Sequence, residues 1–274
     1  MNYKVRLPEG FTDFYMSFDF NGETYYIYES TYDEVAERYV FAFDQVLPQF
    51  MGENIRATVY ATFQGQTVAI YHDNYSMKQY TINTLKKATD EKVIRVLSDL
   101  MVYGEKAQIY LNHKTDALVT NGLTLSPSTF VDVPADCDKQ AMGGTADGVA
   151  KIKGATIVML SKLTLRVTIE VADPSAYTYR VTTSTGVYEY TEFDLEPTGT
   201  ANQYYVYFDE LMATEFNEVV KLSFVQDGAE VSRYLEYSVN TYICKNYTKA
   251  TGDLLELIKA IYNYGEAARA YAGR

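Results

Sequence analysis

Few residues in this 274-residue chain have the type and spacing to do chemistry. His72 and His113 are its only histidines, and Cys137 and Cys244 its only cysteines. A zinc centre draws ligands from closely spaced Cys and His, and neither C-x-x-C nor H-x-x-x-H occurs. His72-Asp73, at the end of a strand-like run, has the form of a base with its orienting carboxylate. No G-x-S-x-G or other nucleophile signature goes with it, so His72 is read as an ordinary exposed histidine. The run GGTADG at 143–148 lacks the lysine and the following helix of a phosphate loop. A glycoside hydrolase needs only two facing carboxylates, and 36 acidic residues supply many pairs without selecting one. Asp132, Asp136 and Asp138 lie close together but off the D-x-D-x-D-G pattern of a calcium loop. A solvated loop is the reading adopted there. The cysteines read as two separate thiols, with a single disulfide as the alternative. No catalytic residue, metal-ligand set or cofactor motif emerges.

Tyrosine is the unusual component, with 27 residues against no tryptophan. Tyr25, Tyr26 and Tyr28 cluster in one strand-like stretch, and Tyr188 and Tyr190 in another. Alternate residues of a strand face opposite sides, so one set in each stretch faces water. Exposed tyrosines offer apolar ring faces and a hydroxyl to sugar rings. These five are the candidate ligand-binding residues. The competing reading is that tyrosine suits a half-buried strand and its cross-strand pairs, and the missing tryptophan favours it.

The elements that must position these residues follow from a repeat. Residues 91–112 (EKVIRVLSDLMVYGEKAQIYLN) place Val93, Val96, Leu97, Leu100, Met101, Gly104, Ala107 and Leu111 at helical spacing. Residues 253–272 repeat the stripe at a shift of 161, with Leu254, Leu257, Ile258, Ile261, Tyr262, Gly265, Ala268 and Ala272. Tyr103-Gly104-Glu105 and Tyr264-Gly265-Glu266 are common to both. A helix-interior glycine costs about 1 kcal/mol against alanine. Two on equivalent stripes predict close approach of another backbone, with Tyr103 and Tyr264 as packing residues beside them. Residues 75–90 and 237–252 match at six of sixteen positions, which extends the repeat to a short helix before each long one.

Strand patterns precede each helical pair. Asn21-Gly22, Gln64-Gly65 and Asp227-Gly228 mark hairpins whose turns need positive φ. Strands grouped before helices indicate an α+β class. The expected architecture is two tandem modules, each an antiparallel, Ig-like β-sandwich followed by a short and a long α-helix. The first spans 1–122 and the second 149–274, with 123–148 a polar linker or crossing loop. The second copy lacks the LPQFMGEN loop (47–54) and has MATEFNEV (212–219) there, so any role of that loop belongs to the first copy only.

The stretches FTDFYMSFDFNGE, LPQFMGENIRATVYATFQGQ, YSMKQY, LMVYGEKAQIYLNHKTDALVTNGL, GATIVMLSKLTLRV and IKAIYNYGEAARAYA resemble a repeat module of large secreted proteins of anaerobic gut Firmicutes. The resemblance spans nearly the whole chain. It implies an extracellular or cell-surface setting and carries over no catalytic residue.

The net charge of −12 and a pI near 4.7 argue against nucleic acid and anionic membrane, which require a basic patch. No apolar run reaches the roughly 18 residues of a membrane span, and no signal peptide opens the sequence, which reads as cut from a longer protein. The expectation is a non-catalytic, monomeric module pair of a secreted or cell-surface bacterial protein, acting in adhesion, spacing or protein interaction. Its partners would be other cell-surface proteins or polysaccharide. A carbohydrate-binding pair using strand tyrosines is the alternative, and a glycoside hydrolase the third reading.

Overall fold

The computed structural model describes residues 1–133, 141–143, 150–159, 162–231 and 234–273. They form a mixed α+β fold of antiparallel sheets, with four helices among the described residues. The chain divides into two compact units, Met1–Ser126 and Pro127–Arg274.

The first unit contains β1 (Asn2–Val5), β2 (Thr12–Phe20), β3 (Glu23–Ile27), β4 (Thr31–Asp33), β5 (Arg38–Ala42), β6 (Ile55–Phe63), β7 (Gln66–Tyr75), α1 (Met77–Leu85) and α2 (Glu91–Tyr110). One sheet runs β3-β2-β6-β7 and the other β1-β5-β4. Asn21 and Gly22 sit at φ 52° and 86°, and Gln64 and Gly65 at 50° and 77°, so both hairpin turns have the double positive φ that their sequences foretold. Strand β4 is too short to show a period in sequence, and it exists because it borders β5 and because Asp33 pairs with Lys4 of β1 at 2.7 Å.

Met16, Phe18 and Phe20 of β2 and Ile55, Ala57 and Val59 of β6 face Val5, Phe41 and Phe43 from the other sheet. Phe18 and Phe43 stack with centroids 4.7 Å apart. Burying each such phenylalanine contributes roughly 2–3 kcal/mol. Ser76 caps α1 by accepting from Gln79 N at 3.1 Å, and Asp90 caps α2 by accepting from Lys92 N at 2.8 Å.

Helix α2 buries Leu97, Leu100, Met101, Tyr103, Gly104 and Ala107, while Leu111 beyond its last turn is exposed. A β-carbon on Gly104 would lie 3.0 Å from Met51 Sδ and 3.2 Å from Pro48 O, in the turn that connects β5 to β6. Residues 113–126 fold back over the helix. Val119 is buried, and its N–H donates to Gln108 Oε1 at 2.7 Å. Ser126 N donates to Ser98 Oγ at 3.0 Å. The unit therefore continues past the expected end at residue 122.

The second unit contains β8 (Ala141–Gly143), β9 (Ala150–Met159), β10 (Leu163–Val171), β11 (Thr178–Thr182), β12 (Val187–Tyr190), β13 (Glu196–Pro197), β14 (Gln203–Phe208), β15 (Val220–Gln226), β16 (Ala229–Glu230), β17 (Tyr234–Tyr237), α3 (Val239–Tyr247) and α4 (Gly252–Ala272). Its sheets run β13-β14-β10-β9 and β12-β11-β15-β17-β8, with β16 beside β15. Part of the expected linker belongs to this unit. Strand β8 pairs with β17, and Asn263 Nδ2 donates to Ser128 O at 3.1 Å. Asp227 and Gly228 turn the β15–β16 hairpin at φ 50° and 81°. Ser238 caps α3 by accepting from Thr241 N at 3.0 Å.

The second unit also sets a short turn against its long helix, as Pro48–Phe50 stands against Gly104 in the first. Helix α4 rests on the turn Ala213–Glu215, and a β-carbon on Gly265 would lie 2.7 Å from Phe216 Cδ2. Phe216 O accepts from Asn240 N at 2.9 Å, as Met51 O accepts from Lys78 N at 3.0 Å. The contact is kept while the residue changes from methionine to phenylalanine, so identity could not reveal it. The ring of Tyr264 meets Phe216 at 6.3 Å between centroids.

Cys244 is disulfide-bonded, which replaces the reading of two separate thiols. The only other cysteine in the sequence, Cys137, lies outside the described residues.

Two outcomes are expected. Gly104→Leu and Gly265→Leu should each lose roughly 1–3 kcal/mol in denaturant unfolding, because the added side chain must displace a turn held from both ends. Unchanged midpoints would contradict the close contact. Cys244→Ser should lower stability by about 2–4 kcal/mol, and a reducing agent should lower the wild type equally while leaving the variant unmoved.

Candidate functional site

The β3-β2-β6-β7 sheet turns one face to the core and the other outward. Alternation sends Met16, Phe18 and Phe20 inward, so Tyr15, Ser17 and Asp19 of β2 point out. On β3 the same rule separates Tyr25 from Tyr26. Tyr25 turns in, with its ring 5.5 Å from that of Phe43, whereas Tyr26 is 57% exposed. Tyr28, just past the strand, is 68% exposed. On β6 the outward residues are Arg56, Thr58, Tyr60 and Thr62.

Register then builds a platform. Tyr15 opposes Tyr60 across β2 and β6, and the two rings stack at 5.1 Å and 13°. Tyr28 lies 5.1 Å from Tyr15, and Tyr26 lies 6.2 Å away. Four tyrosines thus form one outward cluster about a central ring. Burial, and then the hydroxyls of Tyr28, Tyr60 and Tyr26, push the Tyr15 phenol above its ordinary range, which keeps it a neutral hydroxyl.

Polar residues border the cluster. The pairings Tyr26↔Ser17, Ser17↔Thr58 and Thr58↔His72 draw one row across all four strands, in which Ser17 and Thr58 are buried and Tyr26 and His72 are exposed. The next row pairs Thr24, Asp19, Arg56 and Asn74. Thr24 Oγ1 donates to Asp19 Oδ1 at 2.8 Å. The face therefore joins an aromatic strip to a strip of hydroxyl, carboxylate, guanidinium and amide groups. Such a face can stack on flat apolar rings and hydrogen-bond the hydroxyls around them.

Of the candidate tyrosines, Tyr26 and Tyr28 belong to this platform and Tyr25 does not. Tyr188 and Tyr190 lie in the second unit and are half-buried. The Tyr188 ring meets buried Phe208 at 5.0 Å. The Tyr190 phenol is pushed up to about 12 by burial and then by Asp209 and Glu210. Tyr15 and Tyr60 were missed, because only pairing β2 with β6 brings them together. The alternation in FYMSFDF and ATVYATF marks them as outward but not as neighbours.

The two histidines lie apart from this cluster of rings. His72 opposes Thr58 on the outer face, while the next residue, Asp73, faces the other side of β7, so the two cannot form a catalytic dyad. His113 lies edge-on to Phe50 at 4.6 Å and within 3.3 Å of Glu53 Oε1. Lys114 pairs with the same carboxylate. Burial pushes Glu53 up, but the bonds from Lys114 and His113 outweigh it and hold the carboxyl below its ordinary range. At Glu105 burial is likewise outweighed by Lys106 and Thr120.

Among the described residues, no three His, Cys, Asp or Glu side chains converge to hold a metal ion. Asp136, Asp138 and most of 143–148 lie outside them. Asp132 Oδ1 accepts from Val133 N at 3.1 Å. No described helix is long and apolar enough to cross a membrane. No family model, no curated protein and no solved structure matches the chain.

Glu53 and Glu105 set an acid dependence. Both folded-state pKa values lie below the ordinary 4.5, so the stabilisation is present above that pH and lost as pH falls through the folded values. The Tm should fall as pH drops below 4.5, and more steeply in wild type than in Glu53→Gln/Glu105→Gln. Parallel curves would remove these carboxylates from the explanation.

Proposed function

We propose that this chain is a non-catalytic module pair of a secreted or cell-surface bacterial protein, and that its first unit binds polysaccharide on the Tyr15–Tyr26–Tyr28–Tyr60 face. The observation that carries the reading is the cluster itself. A soluble sheet face left to solvent ordinarily carries scattered polar residues, whereas a stacked aromatic group rimmed by hydrogen-bonding side chains suits a ligand with apolar ring faces and many hydroxyls. The chain's acidity is compatible with a neutral glycan.

The two units are taken as tandem copies of one Ig-like module. Supporting this are the serine cap of each short helix, the glycine of each long helix, and the shared bond from the start of the short helix back to the turn. The extracellular setting draws support from the disulfide at Cys244, since such bonds persist in oxidising compartments. It also accords with the resemblance to secreted gut-bacterial modules. The tandem arrangement favours a second reading, adhesion or spacing through protein partners.

Polysaccharide pull-down and glycan-array binding test the proposal. The wild type should bind, and Tyr60→Ala or Tyr28→Ala should weaken binding by about tenfold or more, the size of a hot-spot truncation. Tyr190→Ala should leave affinity unchanged, and no substrate should be turned over. Absence of binding to any glycan would leave adhesion or spacing as the function, and sustained hydrolysis would overturn the non-catalytic reading.

A further inference from the structure

The inner side of β7 carries a second feature, independent of the tyrosine platform. A cavity of about 510 Å³ opens where β1, β7 and the first turn of α1 come together. Tyr3, Tyr71, Asp73, Tyr75 and Tyr80 line it, over a floor that includes Met16. The volume falls within the range of small-molecule sites.

Two observations define what would fit. Four tyrosines contribute to the walls, and their ring faces carry the negative side of the aromatic quadrupole, which attracts cations. Asp73 lies among them with no cation partner among the described residues, because the lysine that also lines the cavity, Lys4, is bound to Asp33 at 2.7 Å. The Tyr3 ring packs 5.0 Å from Phe18 and its hydroxyl is sealed from solvent, so Tyr3 offers the cavity ring surface and not a hydrogen bond.

We propose that this cavity binds a small alkylated ammonium ion, with the cation held by the tyrosine rings and Asp73. A neutral sugar is the poorer fit, because the lining is mostly apolar and offers few polar groups for its many hydroxyls. An anion would meet Asp73 directly.

Choline serves as the probe, titrated into the full 274-residue chain by calorimetry or NMR. Its uncharged carbon isostere, 3,3-dimethylbutan-1-ol, is the control. Choline should bind saturably, and the isostere roughly tenfold more weakly or less, since it lacks the charge on which the cation–π and carboxylate attractions depend. Asp73→Asn, nearly isosteric at a half-exposed position, should weaken choline by a similar factor. Tyr71→Leu, at a ring 58% exposed, should do the same without loss of folding. Tyr28→Ala on the outer face should leave choline binding unchanged, so the two sites are read separately. No saturable choline binding, equal binding of the isostere, or indifference to Asp73→Asn would each overturn the proposal.

Discussion

In both units a long helix lies against a turn between strands at a point where a glycine replaces a side chain. At Gly104 the neighbours are Met51 and Pro48, and at Gly265 the neighbour is Phe216. That approach brings the turn's last carbonyl within reach of the short helix, so one contact ties turn, short helix and long helix together. The sandwich has its own apolar core, but the helices have only one face to bury. Without the glycine the helix would stand away, and the stripe of Leu97, Leu100 and Met101, or of Leu257, Ile258 and Ile261, would lose its partner.

The outward side of the β3-β2-β6-β7 sheet exposes Tyr26 and Tyr28 while Ser17 and Thr58 between the strands stay buried. In the first unit that face carries stacked tyrosines, and the edge strand β7 has an opposite side lined with further tyrosines and Asp73. His72 and Asp73, adjacent in sequence, thus belong to different surfaces. A strand that exposes both sides near a sheet edge can serve two recognition tasks without extra chain. The candidate tyrosines of the second unit, Tyr188 and Tyr190, are instead drawn into packing. On the reading of tandem copies, the units share a scaffold and differ in what their surfaces offer.

Features set by a few consecutive residues were readable from the sequence alone. The Asn-Gly, Gln-Gly and Asp-Gly turns needed only their local φ requirement. The long helices needed only their 3.6-residue stripe, and Gly104 and Gly265 stood out because glycine is costly there. Other features depended on distant chain. Strand β4 is too short to show a period, β8 depends on pairing with β17, and Val119 reaches Gly104 only when residues after the helix fold back. The turn at Phe216 escaped notice because the contact was retained and the residue was not.

The candidate site divides the same way. Alternation within a strand settles that Tyr25 and Tyr26 face opposite sides, because the pleat has a period of two. It does not settle which side is the core. That was decided by the second sheet, whose Phe41 and Phe43 cover the side bearing Tyr25 and leave Tyr26 in water. Nor does sequence hold the distance between Tyr15 and Tyr60, 45 residues apart, since that distance is a matter of register between strands. The sequence by itself determined the kinds of elements and the parity of each side chain, which are local steric properties. The tertiary structure decided which parity is buried and which side chains become neighbours, because both depend on how separate strands align.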